Sequence, residues 1–181
     1  MRKIFSLLSA CVLIFSFSTQ AQFSVSGGTG LAATYSSLTN TGGLFEAINA
    51  AAQTGNNIVV SVTGNSTGET GTVSLNAGAW TSITISPSGG AGRTISGAAS
   101  AGTPLINFNG ADNVTIDGLN TGGNSLTIAN TTVSNSSGTS TIRFIGGATN
   151  NTITNSNIQG SGTMSVATNG ATIFFSTDGT T

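Results

Sequence analysis

The sequence predicts an all-β protein in which short parallel strands stack as the coils of a β-helix. Three observations support this prediction. The chain contains 26 Gly, 25 Ser, 30 Thr and 18 Asn among its 181 residues, and charged residues make up only 5%. Pairs of apolar residues at positions i and i+2 recur along the chain, and only one segment shows helical spacing. A β-sandwich, which also uses short strands bounded by turn residues, is the alternative architecture.

The composition excludes several classes of protein. A helical bundle needs Leu, Ala, Lys and Glu as its dominant residues. A nucleic-acid-binding protein needs a basic patch, which four Lys and Arg residues cannot build. Disorder is disfavoured because hydrophobic residues reach 37% and mean hydropathy is positive at +0.22.

Residues 1–21 have the layout of a secretory signal peptide. Arg2 and Lys3 precede an apolar run over residues 4–17, and the small residues Thr19 and Ala21 stand at positions −3 and −1 of a cleavage site after Ala21. We therefore expect a secreted or cell-surface protein that begins at Gln22 and has no membrane span after processing. Lipid attachment at Cys11 is disfavoured because the apolar run continues beyond it.

Residues 22–56 are predicted to form an irregular entry followed by a short capping helix. Leu44, Phe45 and Ile48 fall near helical periodicity. Thr41 is the expected cap residue and Gly55 the expected end.

Residues 57–181 are predicted to form the β-helix coils, which are incomplete at the C-terminus. Five apolar pairs, at spacings of 23, 23, 36 and 31 residues, define the repeat: Val60-x-Val62, Ile83-x-Ile85, Ile106-x-Phe108, Ile142-x-Phe144 and Ile173-x-Phe175. A second set follows each of the first four pairs: Val73, Ile95, Ile116 and Ile153. Both residues of each pair are expected to point into one core, and the pairs are expected to stack on one another as parallel rungs.

Two further details of the repeat lead to expectations. The longest coil is expected to hold an outward insertion over residues 121–139, which includes a strand-like segment at 126–128. Asn113 and Asn150 each stand three residues before an Ile of the second set. They are expected to stack with their side-chain amides hydrogen-bonded between coils, as in known amide ladders.

Several segments carry a resemblance to a known family. Residues 46–60 resemble the capping helix and first strand of secreted right-handed β-helix proteins of the pectate-lyase-like superfamily. Residues 87–97, 109–120 and 140–145 are similar to stretches common in large secreted and surface proteins of Bacteroidetes. The resemblance covers most of residues 35–178. It implies a right-handed solenoid, surface display and a longer protein exported by the type IX secretion system, of which this chain is an N-terminal part.

The residues available for catalysis are few. After residue 21 the chain has no Cys, His or Lys, two Arg and five carboxylates, so no catalytic, cofactor-binding or metal site is predicted. Asp112 and Asp117 are the candidates for an acid–base or calcium pair, with Arg143 as a charge partner. Arg143 is expected to point outward from a different set of strands, and Asp117 precedes a glycine as in an ordinary turn. Glu46 is expected to complement the first turn of the helix.

Three other features have ordinary structural interpretations. Residues 89–92 begin like a calcium-binding nonapeptide, but Thr94 stands where that pattern needs Asp, so a turn is expected. Trp80 and Tyr35 are the only residues of their kinds. Trp80 is expected to anchor packing, although an exposed aromatic ring can also stack on a sugar.

Two functions remain open. The first is a non-catalytic extracellular scaffold or adhesin-like segment, whose partners would be extracellular polysaccharides or cell-surface components. The alternative is part of a carbohydrate-active β-helix enzyme, a polysaccharide lyase or hydrolase, with its groove mostly outside this chain. In either case self-association through an open C-terminal coil is expected, because unpaired strand edges favour association.

Overall fold

A computed structural model of the chain describes residues 20–160 and 171–177. The described part is mostly β, with fourteen strands and one helix, α1 (Leu44–Ala50). The strands are β1 (Phe23–Ser26), β2 (Thr34–Tyr35), β3 (Asn57–Val62), β4 (Ser66–Glu69), β5 (Leu75–Asn76), β6 (Ser82–Pro87), β7 (Gly92–Gly97), β8 (Pro104–Asn109), β9 (Val114–Asp117), β10 (Ser125–Asn130), β11 (Ser140–Ile145), β12 (Thr152–Thr154), β13 (Ser156–Gln159) and β14 (Ala171–Phe175). Most of the expected leader lies outside the described residues.

From β3 onward, each sheet takes every third strand of the chain. The first sheet has the order β12-β9-β6-β3-β1-β2, the second β13-β10-β7-β4 and the third β14-β11-β8-β5. All pairings after β3 are parallel, whereas β1 pairs antiparallel with both β2 and β3. The three sheets are open, and none of them closes on itself.

The apolar residues alternate with polar ones along the strands and fill one core. In β6, Ile83 and Ile85 are buried, while the hydroxyl residues between and around them are partly exposed. This i, i+2 pattern was expected, because successive side chains of a strand point to opposite faces. Residues from all three sheets belong to the same buried cluster.

The sequence assigned the five apolar pairs to a single column of strands, and this assignment is wrong. Val60 and Ile85 lie in register within the first sheet, whereas Ile106, Ile142 and Ile173 lie in register within the third sheet. The second set is mixed in the same way, since Ile95 belongs to the second sheet and Ile116 and Ile153 to the first. Every strand of a solvent-exposed sheet shows the same alternation, so the spacing of the pairs alone does not identify the sheet.

The expected outward insertion over residues 121–139 is also wrong in its first half. β10 is a regular strand of the second sheet and pairs with both β7 and β13. Leu126 and Ile128 are buried in the core. A short turn at residues 121–124 precedes β10, and residues 131–139 after it form a loop without strand structure, in which Val133 is 73% exposed.

Phenylalanine rings line the third sheet in a continuous column. Phe108 lies 6.3 Å from Phe45 of α1 and 5.1 Å from Phe144, measured between ring centroids. Phe144 stacks on Phe175 at 4.9 Å with only 7° between the ring planes. The rings follow the register Phe108–Phe144–Phe175, so the column extends through three neighbouring strands.

The helix begins differently from the expectation. Gly43 occupies the cap position of α1, and no side chain caps the helix there. Thr41 therefore does not serve as the cap residue. Glu46, in the first turn, instead accepts a hydrogen bond from the backbone N–H of Gly42, which is the acidic complement to the helix start that the sequence indicated.

The asparagine turns are present, but a different residue links them. Asn113 and Asn150 both adopt a positive φ, 58° and 54°, a conformation that asparagine tolerates better than most residues. The side-chain amide that bridges the two turns belongs to Asn151, which accepts from the backbone N–H of Val114 at 2.8 Å and donates to the carbonyl of Ala111 at 2.8 Å. The expected stacking of the Asn113 and Asn150 side-chain amides is replaced by this bridge.

Candidate functional site

Each carboxylate in the described residues accepts a hydrogen bond from a backbone N–H. Glu46 accepts from Gly42 as described above, and Asp112 accepts from the backbone N–H of Thr149 at 2.6 Å. Asp117 accepts from Leu119 at 2.8 Å. Such contacts fix turns and loops, so these three acids have structural partners of their own, and so does Glu69.

Glu69 is the most enclosed of these acids. Its side chain is fully buried at the end of β4. Its carboxylate accepts from the backbone N–H groups of Leu38 and Thr39 at 2.9 and 2.7 Å, and from the hydroxyls of Ser37, Thr39 and Ser66. Five donors around one carboxylate satisfy its acceptor sites, which makes burial of the charge tolerable. Glu69 thus holds the segment before α1 against β4.

The two aspartates that the sequence singled out each bind a neighbouring turn. Asp112 accepts from the hydroxyl of Thr149 at 2.8 Å, in addition to its backbone contact. Asp117 accepts from the side-chain amide of Asn155 at 3.0 Å. The hydrogen bond from Asn155, followed by that from Leu119, lowers the pKa of Asp117 from its ordinary value of 3.8. Both contacts connect a turn to its neighbour in the first sheet.

Arg143 lies on a different sheet from these aspartates. It belongs to β11 in the third sheet, where its Nε donates to the Asn107 side-chain oxygen at 3.0 Å. Partial burial lowers the pKa of its guanidinium. The expectation that Arg143 would lie apart from Asp112 and Asp117 is confirmed, since those residues lie at β9 in the first sheet.

The glycine-rich segment at 89–92 forms a turn between β6 and β7. Gly89 and Gly90 have positive φ values of 83° and 65°. Arg93 reaches back across the turn and donates from Nε and from a terminal guanidinium nitrogen to the carbonyl of Ser88, at 3.1 and 2.9 Å. The Gly90 N–H donates to the Asn124 side-chain oxygen at 3.0 Å. The segment has the turn role that its sequence indicated.

Trp80 anchors packing, as expected. Its side chain is only 6% exposed and belongs to the core cluster. Its indole N–H donates to the carbonyl of Asp112 at 2.6 Å, which satisfies the one polar group of the ring. A ring so enclosed offers no open face for a sugar. The Tyr35 hydroxyl accepts from the backbone N–H of Ala32 at 2.8 Å.

Columns of hydroxyl side chains face outward on two sheets, a feature that sequence reasoning missed. In the first sheet, Thr84, Thr115 and Thr152 lie in register on neighbouring strands. In the second sheet, Thr94 and Thr127 are continued by Asn157. These residues are partly or fully exposed, and neighbouring strands lie about 4.8 Å apart. Thr stands directly before Ile at several positions of the sequence, which indicates an outward threonine beside each buried isoleucine. Which of these threonines lie side by side depends on the register between strands, which the sequence does not show.

A pH titration provides a test of the Asp117 contacts. Because the folded-state pKa of Asp117 is depressed, its ionised form stabilises the fold above the unfolded-state value, and this stabilisation is lost as pH falls through the lower folded-state pKa. We expect Asp117→Asn to lower the Tm slightly near neutral pH and to have a smaller effect well below pH 3.8. Thermal unfolding of both proteins across this range measures the difference. A Tm difference independent of pH would contradict the assignment.

The comparisons with known proteins identify no relative: no family model, curated protein or solved structure matches the chain. Within residues 20–160 and 171–177, no three or more His, Cys, Asp or Glu side chains group as metal ligands would. In the same residues, no helix has the length and apolar character needed to cross a membrane.

Proposed function

We propose that the chain is a non-catalytic, extracellular parallel β-helix segment that displays rows of polar side chains, as an adhesin-like part of a larger secreted or cell-surface protein. The observation that carries this proposal is the use of every third strand by each parallel sheet. Successive coils of a β-helix produce this order, because each turn of the chain adds one strand to every sheet. A β-sandwich is built mainly from antiparallel pairs.

The carboxylates support a non-catalytic role. A general acid or base must lie within hydrogen-bonding reach of the proton that it transfers. Asp112 accepts through Oδ1 from Thr149, and Asp117 accepts through Oδ1 from Leu119 and Asn155, in contacts that define the turns. Arg143, the cation on the third sheet, donates to an amide oxygen instead of a carboxylate.

The hydroxyl columns suggest the class of ligand. Thr84, Thr115 and Thr152 offer a donor and an acceptor at each strand level. A neutral, extended polysaccharide carries hydroxyls along its length and could be contacted by several levels at once. Since each single contact is weak, repetition along the polymer would supply the affinity.

Binding and product release from a panel of pectin, alginate and glucan, with and without Ca²⁺, test this proposal. We expect retention on the neutral glucan, weaker retention on the acidic pectin and alginate, and no release of soluble sugar. Thr115→Val removes a hydroxyl from the middle of the column while keeping the β-branched shape, so binding should weaken several-fold. Thr121→Val, at an exposed threonine outside the columns, is the matched control and should bind as the wild type does.

Two different results would contradict the two parts of this proposal, the absence of catalysis and the role of the threonine columns. Reproducible product release that disappears in Asp112→Ala or Asp117→Ala would show an enzyme and overturn the non-catalytic proposal. Equal loss of binding in Thr115→Val and Thr121→Val would contradict the role of the threonine columns.

A further inference from the structure

Connections of unequal length leave a depression on the outer face of the second sheet. The connection between β9 and β10 spans residues 118–124, whereas Asn155 alone joins β12 to β13, the strands that pair with them. The longer connection stands out beside the shorter one, and Asn120 within it borders a depression of about 490 Å³. A strand added beyond β13 would extend the sheet in its own plane, so this depression does not depend on an open strand edge.

Polar side chains converge on the depression. Its lining includes three asparagines and two hydroxyl residues: Asn120, Asn155, Asn157, Ser125 and Thr127. Apart from Asn155, which donates to Asp117, none of these side chains has a hydrogen-bond partner among the described residues. The side-chain amides of Asn40, Asn130 and Asn151, in contrast, donate to backbone carbonyls. The amides of Asn120 and Asn157 are therefore available to a ligand.

The longer connection is held in one conformation. Leu119 and Asn120 both have a positive φ, 61° and 52°, which is rare for a residue as bulky as leucine. Asp117 holds this pair by accepting from the Leu119 N–H at 2.8 Å. Asn124 holds the other end by accepting from the Gly90 N–H at 3.0 Å. Strained backbone conformations cluster at ligand-binding sites, and a preformed wall lowers the entropy cost of binding.

We propose that this depression is a discrete binding site for a neutral sugar unit of a glycan. None of the residues that line it carries a charge, so it offers no electrostatic attraction to an acidic sugar. Its amide and hydroxyl side chains supply both donors and acceptors, which match the hydroxyl groups of an uncharged sugar. The inference rests on the proposed function for its class of ligand, and it adds one place on the second sheet where a short oligosaccharide binds by itself.

A peptide is a less suitable occupant of this depression. Peptides that bind to a sheet add as a strand at its edge, whereas the depression lies on the face. Peptide side chains would also need apolar contacts, yet Leu126, the one apolar residue in the lining, is 1% exposed and belongs to the core. A sugar unit needs only the hydrogen-bonding groups that are present.

Titration of the purified chain with cellobiose, maltose and laminaribiose, followed by the NMR signals of the asparagine side-chain amides, tests this inference. These neutral disaccharides are too short for the repeated contacts by which a polymer would be held. The signals of Asn120 and Asn157 are identified by their loss in Asn120→Gly and Asn157→Ala. We expect both signals to shift with one or more of the disaccharides at millimolar concentrations.

Two asparagine substitutions measure the contribution of the Asn120 side chain. Asn120→Gly keeps the positive φ, because glycine adopts that conformation freely. We expect it to raise the dissociation constant about fivefold, the usual effect of losing one hydrogen bond. Asn113→Gly is the matched control, since Asn113 is also exposed and has a φ of 58°, but lies at the start of β9 in the first sheet. It should leave the dissociation constant unchanged.

The outcomes distinguish this inference from the proposed function. If no disaccharide shifts the Asn120 and Asn157 signals, or if Asn120→Gly and Asn113→Gly weaken binding equally, the inference is wrong, even where a glucan is retained. Shifts caused by triglycine and not by the disaccharides would indicate a peptide site and would also overturn it. Disaccharide binding without retention on glucan would support the inference and contradict the repeated contacts of the proposed function.

Discussion

Replacing Glu69 with Ala is expected to lower the free energy of unfolding by about 2–5 kcal/mol, since each buried donor left without a partner costs about 1–3 kcal/mol. The substitution would leave the buried backbone N–H groups of Leu38 and Thr39 without their acceptor. It would also release the contact that holds the segment before α1 against β4. Urea denaturation with an unchanged m-value measures the loss.

A matched pair of Glu→Gln substitutions isolates the effect of burial. Glu69→Gln keeps the shape but turns an NH₂ group toward donors, so it should cost about 2 kcal/mol or more. Glu46→Gln changes an exposed acid with one backbone donor, and should cost less than about 1 kcal/mol. Equal, small effects of the two substitutions would show that the Glu69 cluster does not hold the segment before α1.

Replacing Gly97 with Ala is the second substitution with a large expected effect. A Cβ atom at Gly97 would lie 1.9 Å from the carbonyl oxygen of Glu69 and 2.6 Å from its carbonyl carbon. These are backbone atoms of the paired strand, so no side chain can move aside to relieve the clash. We expect a loss of about 3 kcal/mol, at the upper end of the usual cost of overpacking, measured by denaturation.

Gly68 provides the control for this substitution. It lies in β4, next to Glu69, and a Cβ there would meet nothing within 4 Å. Gly68→Ala should therefore change stability by no more than about 0.5 kcal/mol. If Gly97→Ala were equally harmless, β4 and β7 would not approach as closely as the structure indicates.

Much of the secondary structure could be predicted from local pattern. The alternation of Ile83 and Ile85 with hydroxyl residues indicated a strand, and the spacing of Leu44, Phe45 and Ile48 indicated a helix near its observed position. Both signals depend only on which side chains share a face, and that is a property of a few consecutive residues. The cap of the helix was missed because Gly43 leaves no side-chain signal.

The candidate site was less predictable. Asp112 and Asp117 could be recognised as carboxylates near turns, but their partners Thr149 and Asn155 lie 37 and 38 residues further along the chain. Glu69 carried no signal at all, since its donors at residues 37–39 are about thirty residues away. Contacts at such separations depend on register between strands, which a single sequence does not reveal.

The sequence by itself determined that the chain would form short strands around an apolar core, because alternating hydrophobicity and frequent turn residues favour that state locally. It also determined the shortage of ionisable groups after residue 21. Only the tertiary structure decided which strands are neighbours: Ile106 lies beside Ile142 in the third sheet, while Ile83 belongs to the first. The physical reason is that all of these strands present the same apolar face to the core. The choice among them depends on the length and geometry of the intervening turns and on side-chain contacts such as those of Glu69 and Asn151.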